Sequence, residues 1–135
     1  MSHWPIIPIL IPLAAAILLL VSHSWPMLWS RIVSFGAVLA LAAAAIFCLG
    51  LADSGEVLVY RLGNWPPPYG IVLVLDRLSA LMLALTSALA IPVLLYTMAG
   101  IDAEGRHFHA LFQFQIVGLN GAFLTGDIFN LFVFF

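Results

Sequence analysis

Long apolar runs alternate with short polar stretches along the chain, and every charged side chain falls in a polar stretch. A membrane-spanning helix needs ~20 predominantly apolar residues to cross ~30 Å of hydrocarbon, and four of the runs have about that length. The pattern therefore predicts an all-α membrane protein with transmembrane helices near Trp4–Ser22, Ile32–Leu51, Leu78–Met98 and Phe108–Leu124.

The stretch between the second and third runs has a different pattern. Val57–Tyr60 and Ile71–Leu75 are short and rich in β-branched residues, and the segment between them contains Trp65-Pro66-Pro67-Pro68. Short β-branched runs around a proline- and glycine-containing turn are typical of a β-hairpin. We therefore expect an extramembrane hairpin over about residues 56–75, with an irregular loop carrying interfacial aromatic residues as the alternative.

Two acidic residues stand at the starts of predicted helices. Asp76 is expected to cap the third helix, with Arg77 as a neighbouring cation, because a carboxylate accepts the free N–H groups of a first turn. Asp127 would cap a fifth helix over residues 127–135 or belong to an ion path, and Asn130 is a further polar candidate there. These residues rise about 13 Å at ~1.5 Å each, about half of the hydrocarbon thickness. We interpret this helix as truncated, and residues 1–135 as the N-terminal part of one larger transmembrane domain.

The fourth run contains polar side chains that a bilayer cannot hydrate. Gln113 and Asn120 are seven residues apart and so share one helix face. A polar face in a membrane helix points at protein or at water rather than at lipid. Two explanations remain open: the pair lines an ion path, or it forms interhelical hydrogen bonds beside the small residues Gly118 and Ala122.

Composition narrows the class of protein. The chain is 64% apolar and 7% charged, whereas soluble proteins carry roughly 25% charged residues. No basic patch is present, so nucleic acid is not an expected partner. Cys48 is alone, and His107 and His109 point to different helix faces, so we expect neither a metal site nor a cofactor. The two histidines mark a membrane boundary, with proton entry from that side as the alternative.

Charge does not fix the orientation in the membrane. Arg31 and Arg106 on one side balance Arg61 and Arg77 on the other. The lack of cationic side chains before the first run favours an outside N-terminus.

Several stretches resemble the D subunit of the Mrp-type multisubunit cation/proton antiporter, a family related to the proton-pumping membrane subunits of respiratory complex I. The stretches are Tyr60–Pro66, Gly70–Met82, Arg106–Gln115 and Gly118–Phe135, which ends in Asp-Ile-Phe-Asn-Leu-Phe-Val-Phe-Phe. The resemblance implies an outside N-terminus and a hairpin on that same face. It also implies a functional glutamate in the fifth helix, directly after the Phe134-Phe135 pair.

The function that the resemblance implies is that of a membrane subunit of a multisubunit Na⁺/H⁺ antiporter, a transporter subunit rather than an enzyme. Its partners would be the other membrane subunits of the complex, the lipid bilayer, protons and sodium ions, in the plasma membrane of a bacterium. The alternatives are a proton-pumping subunit of a complex I-like NADH:quinone oxidoreductase and a non-conducting membrane scaffold. Residues 1–135 alone are not expected to transport, since they contain no titratable group deep in a predicted span.

Overall fold

The computed structural model describes residues 3–66 and 69–135, and it is mostly helical. A short 3₁₀ turn, Trp4–Ile6, leads into the first helix, and the chain continues as α1 (Ile7–Val21), α2 (Met27–Asp53), β1 (Leu58–Arg61), β2 (Val72–Leu75), α3 (Arg77–Thr97), α4 (Phe108–Leu124) and α5 (Ile128–Phe134). In the described part of the chain, three helical stretches are long and apolar enough to cross a membrane: Trp4–Val21, Met27–Asp53 and Arg77–Thr97. The helix α4 is also apolar but shorter, with 17 residues. The predicted helical membrane architecture is confirmed at this level.

The helix α2 begins five residues earlier than the start predicted at Ile32. Pro26 precedes its first residue, and the Trp29 N–H donates to the Pro26 carbonyl at 2.9 Å. Pro26 is the N-cap residue, and a proline there keeps the helix from extending towards the N-terminus, because it has no N–H for a helical hydrogen bond and its ring would clash with the preceding turn. The polar side chains of Trp29, Ser30 and Arg31 had suggested a connector, but the backbone there is helical. At ~1.5 Å per residue α2 is about 40 Å long, so Arg31 lies on a helix that extends past ~30 Å of hydrocarbon.

The predicted hairpin is present. The strands β1 and β2 pair antiparallel, with Leu58 opposite Leu75 and Arg61 opposite Val72. Leu73 and Leu75 are buried in an apolar cluster with Ala45, Cys48 and Leu83, so β2 packs onto the helices rather than standing free. Pro67 and Pro68 of the predicted turn lie outside the described residues.

The hairpin holds two other segments at its end of the bundle. Leu73 forms an isolated bridge with Thr125, and the Gly126 N–H donates to the Val72 carbonyl at 2.9 Å. His3 Nδ1 lies 3.2 Å from the Tyr60 hydroxyl. We call this the hairpin end: His3, the two strands and the Thr125–Asp127 turn.

The opposite end is formed by the connectors between α1 and α2 and between α3 and α4, and we call it the connector end. Between the two ends, α4 packs mainly on α1, and α2 packs mainly on α3. A second apolar cluster fills the bundle there, made by Val38, Leu41, Ala90, Leu94 and Ile116. The helix α4 therefore carries its polar residues through an otherwise apolar interior.

Candidate functional site

Gln113 joins α4 to α2. Its side chain is fully buried, and Nε2 donates to Ser34 Oγ at 2.9 Å and to the Ser34 carbonyl at 3.1 Å. A buried amide needs such partners because burying it without a hydrogen bond costs free energy. This contact is the interhelical hydrogen bonding that the sequence left open as one of two explanations.

Asn120 joins α4 to α1, at a carbonyl that a proline has left free. Its Nδ2 donates to the Pro8 carbonyl at 2.8 Å. In a regular helix that carbonyl would accept the N–H of the residue four positions on, but this residue is Pro12, which has no N–H. Asn120 therefore supplies the donor that the proline removes.

Both amides keep a buried oxygen without a partner. Gln113 Oε1 and Asn120 Oδ1 accept no hydrogen bond from the described residues. An unsatisfied buried polar group costs about 1–3 kcal/mol, so each oxygen favours a water molecule or another donor beside it. An amide does not titrate near neutral pH, so these side chains can orient water but cannot hold a proton.

Asp127 and Asn130 belong to the turn and helix that follow α4. The Phe129 N–H donates to Asp127 Oδ1 at 3.3 Å, so the carboxylate stands at the N-cap of α5. Asn130 is buried.

The helix α5 approaches α4 at Gly118 and Gly121, where a Cβ at Gly121 would overlap the Phe134 ring. Gly121 is therefore the small residue next to that ring.

Asp76 and Arg77 are adjacent in sequence but contact two different helices, α3 and α2. The Ser79 N–H donates to Asp76 Oδ1 at 2.7 Å, and this hydrogen bond lowers the pKa of the Asp76 carboxyl. Arg77 turns to the end of α2 instead, where Nη2 donates to the Asp53 carbonyl at 2.8 Å. Its ion pair with the Asp53 carboxylate, at 3.6 Å, is exposed on both sides and contributes little.

An ion pair at the connector end was not predicted from the sequence; its carboxylate is buried and its arginine is part-buried. Arg31 Nε and Nη2 donate to the two Asp102 oxygens at 2.7 and 2.8 Å, and His109 Nε2 lies 3.1 Å from Asp102 Oδ2. Asp102 is completely buried, and the Arg31 hydrogen bonds hold the pKa of its carboxyl below the usual range. A usable signal was present, since the predicted spans place Arg31 and Asp102 at the same end of the bundle.

An apolar groove of about 520 Å³ runs between α3 and α4. Its polar lining residues are Thr86, Thr97 and Gln115, so Gln115 faces away from the side that Gln113 and Asn120 share. Within residues 3–66 and 69–135, no three His, Cys, Asp or Glu side chains come together in a way that could hold a metal ion.

No protein-family model matches the chain. Curated relatives match all or nearly all of it. A Rhizobium meliloti protein, named as the D subunit of a probable K(+)/H(+) antiporter, is 49% identical over 100% of the chain and 26% of its own length. The Na(+)/H(+) antiporter D subunit of Alkalihalophilus pseudofirmus is 36% identical over 100% and 28%. The N subunit of the NADH-quinone oxidoreductase of Desulforudis audaxviator is 39% identical over 98% and 28%.

Two solved structures share the fold. A chain of the Mrp complex from Dietzia sp. superposes with a TM-score of 0.86 and 32% identity, covering 99% of this chain and 25% of its own. A chain of the membrane-bound sulfane sulfur reductase, described as an archaeal respiratory membrane complex, superposes with a TM-score of 0.89 and 26% identity, covering 98% and 28%. The chain thus spans about a quarter of the length of the relatives it matches, and the resemblance to antiporter D subunits is confirmed.

Proposed function

We propose that this chain contributes N-terminal helices to the translocation module of a multisubunit antiporter that exchanges protons for a monovalent cation. The observation that carries the proposal is its likeness to antiporter D subunits over the whole chain, at the level of sequence and of fold. Its apolar helices make it a multi-pass membrane protein. Its activity would be that of a transporter subunit working within a complex, with other membrane subunits as partners.

In this proposal α1 to α4 all cross the bilayer of a bacterial plasma membrane, and α5 is a fifth transmembrane helix. The helix α4 rises about 25 Å, a little less than the ~30 Å of hydrocarbon, and the buried Gln113 and Asn120 keep its polar side away from lipid. The N-terminus lies outside, and the hairpin lies with it because His3 contacts Tyr60.

The polar residues of α4 and α5 are proposed to line part of the proton path. The amide nitrogens of Gln113 and Asn120 donate to neighbouring helices, and each amide leaves its oxygen free to accept from water. Water held this way is oriented without any charge on the protein. Asp127 would cap α5 at the mouth of the path, with Asn130 buried one turn inside.

A second candidate is a proton-pumping subunit of a complex I-like oxidoreductase. The identity to the N subunit of an NADH-quinone oxidoreductase and the superposition on a respiratory membrane complex favour it. The two functions differ in what drives the proton: an opposing cation gradient in one case and electron transfer by partner subunits in the other.

Vesicles distinguish these functions. The full-length subunit that carries this segment is reconstituted with its partner subunits, an internal pH indicator is enclosed, and Na⁺ or K⁺ is added outside. An antiporter moves protons when either cation is added, without any electron donor. Proton movement only with a quinone and a reductant would support the second candidate. No proton movement under either condition would support the non-conducting scaffold instead.

A further inference from the structure

The buried ion pair fixes which nitrogen of His109 carries the proton. Arg31 donates to both oxygens of Asp102, so that carboxylate is ionised and can only accept. His109 Nε2, 3.1 Å from Asp102 Oδ2, must therefore be the donor. In the neutral imidazole one nitrogen is a donor and the other an acceptor, so Nδ1 holds a lone pair.

That lone pair is buried and has no partner among the described residues. His109 is 4% exposed, and it is one of the residues that line a small polar cavity of about 20 Å³ at the connector end. A cavity of this size holds about one water molecule. The other polar side chains that line it are Ser30, His23, Arg106 and His107.

The three buried side-chain atoms without partners in the described part of the chain are His109 Nδ1, Gln113 Oε1 and Asn120 Oδ1, and all three are on α4. The residues are four and seven positions apart, which at 3.6 residues per turn places them within about 40° of one helix face. All three are acceptors. The first of these residues, His109, lies at the connector end, and the last, Asn120, lies about 16 Å further along the helix axis at ~1.5 Å per residue.

We propose that His109 is a proton-binding site that takes a proton from water in this cavity and stands where the α4 polar face begins, at the connector end. The proton adds to Nδ1 while Nε2 keeps its own proton, hydrogen-bonded to Asp102. The set formed by Arg31, Asp102 and His109 then changes from zero net charge to one positive charge. Proton binding by His109 does not depend on the proposed function. Only the transfer of that proton across the membrane rests on it.

The surrounding charges belong to three elements. Arg31 comes from α2, Asp102 from the 3₁₀ turn before α4, and His23 from the α1–α2 connector, with its ring centroid 6.2 Å from that of His107. Arg106 lies on the rim of the cavity beside His107, and Glu104 is exposed in the same connector. His23, Arg106 and His107 are exposed, so the cavity is lined in part by residues that reach solvent at this end.

The test uses the whole antiporter complex containing this subunit, in lipid, as wild type and as His109→Gln. Glutamine can still donate to Asp102 but cannot take up a proton. His3→Gln is the matched control at the hairpin end. With ¹⁵N-labelled histidine, the signal that is present in wild type and missing in His109→Gln is expected to come from a neutral Nε2–H ring that becomes doubly protonated as the pH is lowered.

Cation-driven proton flux is measured on the same preparations. We expect His109→Gln to assemble normally, to lower flux by about 100-fold and to flatten its pH profile, because it removes a proton-transfer group. His3→Gln should keep the wild-type profile. A His109 signal that does not titrate, or a variant with the wild-type pH profile, overturns the proposal. Wild-type complex without cation-dependent flux would refute the proposed function instead, while the NMR titration would still decide whether His109 binds a proton.

Discussion

At the hairpin end, charged side chains contact backbone groups and remain partly or fully open to solvent, whereas at the connector end a carboxylate is completely buried against an arginine and a histidine. Asp76 caps α3 and Arg77 binds the end of α2, each through main-chain atoms. Asp102 contacts two other side chains instead. A capping charge can be lost at modest cost, but a buried set of charges depends on every member.

The two ends also differ in how their chain segments are held together: by backbone pairing at the hairpin end and by side-chain contacts at the connector end. The hairpin end has a strand, β2, whose backbone pairs with β1 and with the Thr125–Gly126 turn. No strand covers the connector end in the described part of the chain. There, the turn before α4 is held to α2 by the Arg31–Asp102 pair. Titration should therefore disturb the connector end more than the hairpin end.

The largest predicted effect is that of Asp102→Ala. The change removes the shared partner of Arg31 and His109. Because the Arg31 side chain is 32% exposed, we expect a cost of about 2.5 kcal/mol, less than that of breaking a fully buried pair from one side. Asp53→Ala is the matched control at the hairpin end, because its ion pair with Arg77 is exposed. Thermal unfolding in detergent measures both. Equal losses for the two variants would contradict the contrast between the ends.

A smaller effect is expected for Asn120→Leu, between the two ends. The substitution leaves the Pro8 carbonyl buried without a donor, which costs about 2 kcal/mol of unfolding free energy. Pro12→Ala restores a backbone N–H at position 12 that can bond to this carbonyl within the helix.

The double variant tests whether the proline is the reason for the asparagine. Asn120→Leu should cost less than half as much in the Pro12→Ala background, since the carbonyl then has a partner. Additive losses in the four-protein cycle would show that Asn120 stabilises the fold through some other contact.

Features of the fold that depend on neighbouring residues could be predicted from the sequence, whereas those that depend on distant residues could not. The helices follow from apolar length against bilayer thickness, and the hairpin follows from two β-branched runs around a turn, so both are local. The predicted start of α2 is too late because Ser30 and Arg31 are polar, whereas the helix begins directly after Pro26.

The candidate site was found in part. The shared face of Gln113 and Asn120 follows from their spacing, but their partners do not, because Ser34 and Pro8 are far away in sequence. The Asp102 pair joins residues that are 71 positions apart, and only the packing of α2 beside the α3–α4 connector brings them together. The roles of Gln113, Asn120, Asp127 and Asn130 in an ion path remain predictions.

At the hairpin end, Gly126→Val should cost about 1.5 kcal/mol by overpacking. A Cβ at Gly126 would lie 2.6 Å from Val74 Cγ2, so the turn would have to move away from β2. Gly50→Val is the control, since a Cβ there meets nothing within 4 Å. Hydrogen exchange of the Gly126 position and of the β2 amides locates the effect, and unchanged protection would show that the turn does not depend on this contact.

The smallest effect is that of Asp76→Ala, about 1 kcal/mol at neutral pH for the loss of a cap. The pKa of Asp76 is lowered in the folded state by the Ser79 N–H. Its contribution is therefore complete above the unfolded pKa of about 4 and disappears as the pH falls through the lower folded value. The unfolding free energies of wild type and variant should converge in acid, whereas Asp76→Asn, which can still accept the N–H, should lose less at neutral pH. A difference between wild type and Asp76→Ala that persists at the same size in strong acid would show that the residue acts through packing rather than as a charged cap.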